Sequence, residues 1–240
     1  MERGIIVACD QKLEWILTWW WDHYSAHNDY PVIFFDFGMS SKAKIWCEKK
    51  GQLKVLDPAH QISLPKERLD LKKRILWEAQ YGEGIWEVRA AWLQKPMTLL
   101  QSPFSIGLWL DLDCRVDGNL KPLFDTLQEK DDFAVMKYEI EDSAYKHPDM
   151  WNYNSAVILF RQHAEILKIW AQRILESPNE LPGDEDYLSR VIERHHPKVL
   201  HLPPFYNWSR TRGDHDQALV VHFHGGEGKI LVLNSIHRQL

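Results

Sequence analysis

Short apolar runs alternate with stretches of helical periodicity along most of this chain, and that alternation narrows the possible folds more than any other feature. Residues 5–8 form an apolar run that stops at Cys9-Asp10, after which Leu13, Ile16, Leu17, Trp20 and Tyr24 recur at helical spacing. The pattern then repeats. Residues 32–35 predict a second strand, Gly38 a turn, and Ala43, Trp46 and Cys47 one face of a helix that Gly51 closes. Residues 53–56 predict a third strand. Strands separated by helices assemble into a mainly parallel central sheet covered on both faces, so the expected fold class is α/β of the nucleotide-binding type.

From about Pro65 to Leu93 the chain reads as helical, and Lys95-Pro96 predicts the end of that stretch because proline disfavours helix in the residue before it. Residues 106–112 predict a strand running into Asp111-Leu112-Asp113-Cys114, and Asp117-Gly118 a turn into a short helix holding Leu120, Leu123 and Phe124. Two more strands are expected at 133–138 and 155–160. A helix with Leu167, Trp170, Ala171 and Ile174 on one face follows, then one carrying Tyr187, Leu188, Val191 and Ile192. Residues 199–202 and 219–223 read as late strands. With no internal repeat and no linker, residues 1–240 are expected to form a single domain.

Composition excludes some functions. At 45% hydrophobic and 26% charged residues the chain is an ordinary globular one, and its net charge of −5 argues against a nucleic-acid partner, whose binding needs many cationic contacts. Cys9, Cys47 and Cys114 are odd in number and widely spaced. Together with a Met-Glu-Arg-Gly start that lacks a signal-peptide pattern, they predict buried thiols and a cytoplasmic location. The apolar stretch 15–21 contains Thr18 and falls far short of the ~20 residues needed to cross a bilayer, so no transmembrane segment is expected.

Two places carry chemistry. The run Leu108-Trp109-Leu110 ends at Asp111-Leu112-Asp113, and carboxylates two apart in a strand share a face and can approach one hard divalent cation. The other reading of such a triplet is a pair of solvated or capping aspartates. Over a hundred residues later, Val220-Val221 leads into His222-Phe223-His224-Gly225-Gly226, where His222 and His224 share a face. Imidazole suits manganese better than magnesium as a ligand. A histidine on an apolar strand also serves as a hydrogen-bonded structural residue.

With an Asn-bearing strand at Tyr153-Asn154-Ser155 and an Asp-rich helix start at Gly183-Asp184-Glu185-Asp186 between them, these motifs fall in the order found in one group of enzymes. The chain resembles the GT-A fold glycosyltransferases of the glycogenin and bacterial lipopolysaccharide galactosyltransferase (family 8-like) kind, from Ile5 to about Lys229. The resemblance implies donor contacts from Ala8, Asp10, Arg89, Asp111, Asn154, Asp184 and Lys229, and metal ligands Asp111, Asp113 and His222, with His224 ranked below His222. It makes Asp184 and Glu185 the catalytic candidates. Three departures matter: Ala156 replaces a glycine, Glu185 a glutamine, and Lys229 lies one residue late. The implied activity is metal-dependent transfer of a sugar from a nucleotide-diphosphate sugar, expected to be a UDP-sugar, to a carbohydrate or other hydroxyl acceptor with retention of configuration, using Mn²⁺ or Mg²⁺. The alternatives are a nucleotidyltransferase and a non-catalytic sugar-binding protein.

Overall fold

A computed structural model describes residues 2–57, 60, 62, 66–138 and 152–238. Its central sheet has seven strands: β1 (Arg3–Cys9), β2 (Val32–Asp36), β3 (Gln52–Val55), β4 (Ile106–Leu110), β6 (Phe133–Lys137), β7 (Tyr153–Arg161) and β8 (Leu200–His201), in the order β3-β2-β1-β4-β7-β6-β8. Only β7 runs against its neighbours; the other pairings are parallel. A second sheet, β5-β10-β9, joins β5 (Cys114–Val116), β9 (Trp208–Ser209) and β10 (Val220–His222).

The unbroken apolar runs follow from burial of both sheet faces. Ile5 and Val7 enter one core cluster while Ile6 enters the other, and β2 divides Val32 and Phe34 from Ile33 and Phe35 in the same way. The first face is covered by α1 (Leu17–Ser25), α2 (Ser41–Lys50) and the small sheet. The second is covered by α4 (Ile85–Leu100), α6 (Glu165–Glu176) and α7 (Asp184–His195), whose buried residues include all the apolar positions named above for the last two helices. Two further helices are short or late: α5 (Lys121–Asp125) and α8 (Gly225–His237). All three cysteines are free and buried. Among the described residues no helix is long and apolar enough to cross a membrane.

Two expectations need correction. The stretch over 65–93 is helical as expected and holds two helices, α3 (Leu71–Tyr81) and α4, separated by Gly82 at φ 77°, whose N–H caps Glu78 O at 2.9 Å, while Pro65 lies outside the described residues; the first correction concerns the end of that stretch. Pro96 does not end α4, which continues to Leu100. Proline costs a helix interior about 3 kcal/mol, but Leu93, Met97 and Leu99 are fully buried, each contributing roughly 1.5–3 kcal/mol. Packing against α6 and α7 outweighs the missing hydrogen bond. The second correction concerns β4, which ends at Leu110, so Asp111 and Asp113 sit on a turn closed by Cys114 N–H to Asp111 O at 3.0 Å rather than on one face of a strand.

Candidate active site

The turn after β4, the start of β7, the first turn of α7 and the end of β10 meet at the carboxyl edge of β1 and β4. Asp111 N–H is tied to Ala156 O of β7 at 2.9 Å. The Asp111 carboxylate accepts the Trp109 indole N–H at 2.6 Å and lies 3.2 Å from Lys95 Nζ. Lys95 comes from the middle of α4 and is 4% exposed. Its ammonium also meets Asp184 Oδ2 at 2.9 Å and donates to Ser155 Oγ at 2.7 Å and Ser155 O at 3.1 Å. Burial alone would lower its pKa, but Asp111 and Asp184 raise it above the ordinary lysine value. Asp111 is pushed upward by burial, against the pull of Lys95.

A different set surrounds Asp113. The register of β5 and β10 places His222 opposite Cys114, and Phe223 N–H donates to Asp113 O at 2.8 Å. His222 Nε2 consequently lies 3.5 Å from Asp113 Oδ1, and Lys229 Nζ lies 2.9 Å from Asp113 Oδ2. Lys229 reaches this point from the first turns of α8. A side chain at Gly228 would put its Cβ 2.1 Å from Phe223 O, so only glycine lets the helix come this close. Burial would raise the Asp113 pKa, but His222 and Lys229 hold it well below the usual carboxylate range. His224, exposed at the N-terminus of α8, instead engages Ser209 Oγ at 2.6 Å.

Ligand-type atoms of Asp113, Cys114 and His222 lie within 4.8 Å of one another. Burial, then the charges of Asp113 and Asp111, raise the pKa of the Cys114 thiol, and sulfur is a softer donor than a manganese-type ion prefers. Asp111, expected in the metal set, falls outside this cluster because Trp109 and Lys95 hold its carboxylate. The oxygen and imidazole donors of Asp113 and His222 fit a divalent ion of the manganese type. Asp111 completes such a set only by turning its free oxygen inward.

On the Lys95 side, Asp184 opens α7 and accepts from Ser155 Oγ at 2.6 Å, while Glu185 accepts Ser155 N–H at 2.9 Å. Burial first, then the charge of Asp184, pushes Glu185 up to about 8. Asn154 is buried among polar partners: its Oδ1 accepts Ala156 N–H at 2.9 Å and Asn207 Nδ2 at 2.7 Å, and its amide donates to Tyr138 OH. Tyr138 and Asn207 were not foreseen in these positions.

The register of β1 on β4, with Ile6 opposite Trp109, brings Ala8 and Asp10 beside the Asp111 turn. Asp10 Oδ1 accepts the N–H groups of Lys12 and Leu13, both at 3.0 Å. Arg89, by contrast, does not face the cleft. It is 1% exposed, donates to the carbonyls of Pro178, Leu181 and Pro182, and stacks 4.7 Å over Trp77. It braces the approach to Asp184 from behind. The basic residue of this helix that does face the cleft is Lys95, a lysine set between the buried apolar positions Leu93 and Met97, which was the signal available in the sequence.

No family model matches the sequence, and no curated protein does. Solved structures do resemble the fold. The galactosyltransferase LgtC, in complex with donor and acceptor sugar analogues, is 15% identical with a TM-score of 0.62 over 93% of this chain and 87% of its own. An active-site mutant of LgtC with glutamate in place of glutamine gives 0.63 at 15% identity, over 97% and 95%. Mouse xyloside xylosyltransferase 1 gives 0.55 at 12% identity, covering 94% and 98%. The glycosyltransferase GlyE of Streptococcus pneumoniae gives 0.62 at 12% identity over all of this chain and 64% of GlyE. These likenesses, each over 93% or more of the chain, show that it has the GT-A glycosyltransferase fold.

Proposed function

We propose that this protein is a metal-dependent glycosyltransferase that moves a sugar from a nucleotide-diphosphate sugar to a hydroxyl acceptor. The observation that carries the reading is the meeting, at one edge of the sheet, of Asp113, His222 and Lys229 with a second cluster of Lys95, Asp184 and Glu185. The first set suits a diphosphate and its counter-ion; the second suits a sugar ring and its anomeric carbon. The similar fold of LgtC, a galactosyltransferase in complex with donor and acceptor sugar analogues, supports a transferase reading.

In this reading Ala8 and Asp10 contact the nucleoside, which the family resemblance makes uridine. Asp113 and His222, joined by Asp111 once its carboxylate turns, hold Mn²⁺ or Mg²⁺. The ion supplies neutralisation of the charge that develops on the leaving diphosphate. Lys229 adds a second positive charge there, and the adjacent N-terminus of α8 adds a third, weaker source. Lys95 and Trp109 hold one oxygen of Asp111 and leave the other to turn toward the ion, while Lys95 and Ser155 fix one oxygen of Asp184, so that its other oxygen, with the Asn154 side chain, is set to bind sugar hydroxyls. Glu185 presents a carboxyl beside the reacting carbon, where its ionised form stabilises oxocarbenium character or attacks as a nucleophile. Either route fits retention of configuration. The glutamine-to-glutamate exchange in the LgtC mutant is of the kind found at position 185 here.

The test is calorimetric titration of a panel of nucleoside diphosphates and nucleotide sugars, with Mn²⁺ and with chelator, on the wild type and Asp113→Ala. One nucleotide sugar is expected to bind only with metal, with the substitution lowering affinity at least about 100-fold. Preference for a nucleoside triphosphate, with release of pyrophosphate, would replace this reading by nucleotidyl transfer. Sugar binding that ignores both metal and nucleotide would replace it by a non-catalytic lectin.

A further inference from the structure

Helix α3 has two apolar faces, and among the described residues only one of them is covered. Trp77, 3% exposed, and Tyr81 point inward to a small cluster with Leu69, Ile85, Trp86 and Trp92, and Tyr81 OH donates to Asp186 Oδ2 at 3.0 Å. The outward face carries Leu71, Ile75 and Leu76, which are 64, 60 and 54% exposed, together with exposed Ala79 and a single charge, Lys72. A solvated helix normally turns polar residues outward. An apolar stripe of this kind marks a contact surface.

Charge order along the helix identifies the partner. Residues 66–74 hold Lys66, Arg68, Lys72, Lys73 and Arg74 against Glu67 and Asp70, whereas residues 75–84 contain Glu78 and Glu83 and no base. This is the reverse of what the helix dipole favours, since cations cluster at its positive end and anions at its negative end. The order becomes favourable when a second such helix lies antiparallel, because each basic end then meets an acidic end. We propose that the outward face of α3 joins two copies of this chain about a two-fold axis passing between Ile75 and Leu76. That axis sets Ile75 against Leu76, Lys72 against Ala79, and Arg68 of one copy against Glu83 of the other, an isologous contact. An anionic lipid surface is the poorer occupant, because the acidic half would be repelled by it. With one helix face per copy the contact lies near the low end of specific interfaces, about 1,000 Å², and the micromolar range is where the dimer is to be sought. The pairing also backs the face of α3 whose Tyr81 holds Asp186, two residues from Asp184.

Sedimentation velocity of the intact chain across the micromolar range tests this. The wild type is expected to show a concentration-dependent dimer, and Ile75→Glu to weaken it at least about tenfold. Arg68→Glu and Glu83→Arg are each expected to weaken it several-fold, and their combination to restore it to within about twofold of the wild type, as a direct charge pair requires. Because both charged residues are exposed, this exchange stays decisive even if Ile75→Glu misfolds. A wild type that stays monomeric throughout overturns the proposal. So does a dimer indifferent to Ile75→Glu, a charge exchange that fails to restore it, or a monomer that pellets with phosphatidylglycerol vesicles and loses that binding in Ile75→Glu.

Discussion

Asp111 and Asp113 are two residues apart, yet they belong to halves of the cleft built on different terms. Asp111 is shared with Asp184 by an ammonium whose side chain is 5% exposed. Asp113 is paired with Lys229, whose side chain is 34% exposed and sits on a helix turn that can release it. One half is balanced permanently by the protein; the other is balanced by a residue that an incoming ion can displace. Equal spacing in sequence therefore does not mean equal function.

The largest test of this difference removes each lysine in turn. Lys95→Met leaves the buried Asp184 and the partly exposed Asp111 without their shared counter-charge, which costs about 3–5 kcal/mol and lowers Tm by roughly 6–20 °C for a domain of this size. Lys229→Met, at a partly exposed pair worth ~1 kcal/mol at most, is expected to change Tm by only about 2–4 °C while weakening nucleotide binding. Similar losses of Tm in both variants, measured by differential scanning calorimetry without metal, would erase the distinction.

A smaller effect sharpens it. In the Lys95 half one ammonium serves Asp111 and Asp184 with Glu185 close by, and Glu185 bears the deficit, its pKa raised to about 8. A carboxyl with a raised folded-state pKa contributes stability that is fully present below its ordinary value and is lost as pH rises through about 8. Wild type should therefore lose stability relative to Glu185→Gln between pH 5 and pH 9. Parallel Tm curves for the two proteins over that window would show that Lys95 already satisfies all three acids.

The smallest expected effect is in the other half. Cys114→Ala removes a soft sulfur donor from the Asp113 and His222 cluster, where a manganese-type ion is expected to prefer oxygen and imidazole. Mn²⁺ affinity by calorimetry should stay within about twofold. A tenfold loss would make sulfur a ligand and change the expected metal.

Much of the fold was legible because long apolar runs and amphipathic helices impose period on the sequence. Residues 5–8, 32–35 and the face Leu167, Trp170, Ala171, Ile174 all appear where the pattern puts them. What was illegible lacks period or depends on distant partners. β5 and β9 are three and two residues long, and Gly225, Gly226 and Gly228 disguise the start of α8 as a loop, whereas the equally short β8 falls inside the strand expected at 199–202. Local proline chemistry hid the continuation of α4, and with it Lys95, because the packing that overrides Pro96 comes from α6 and α7. Arg89 looked equivalent to a cleft-facing base until the carbonyls of 178–182 supplied its partners.

The pairing of β5 with β10 has a consequence for the order in which the protein acquires its parts. His222 stands opposite Cys114 because two strands of three residues each align in one register, and a slip of a single residue would carry the imidazole to the opposite face. In chain order Lys95, Asp111 and Asp184 all precede residue 195, whereas Asp113 gains His222 and Lys229 only from residues 220–229. The proposed ion site therefore depends on the last strand docking in register, and metal binding would report that it has.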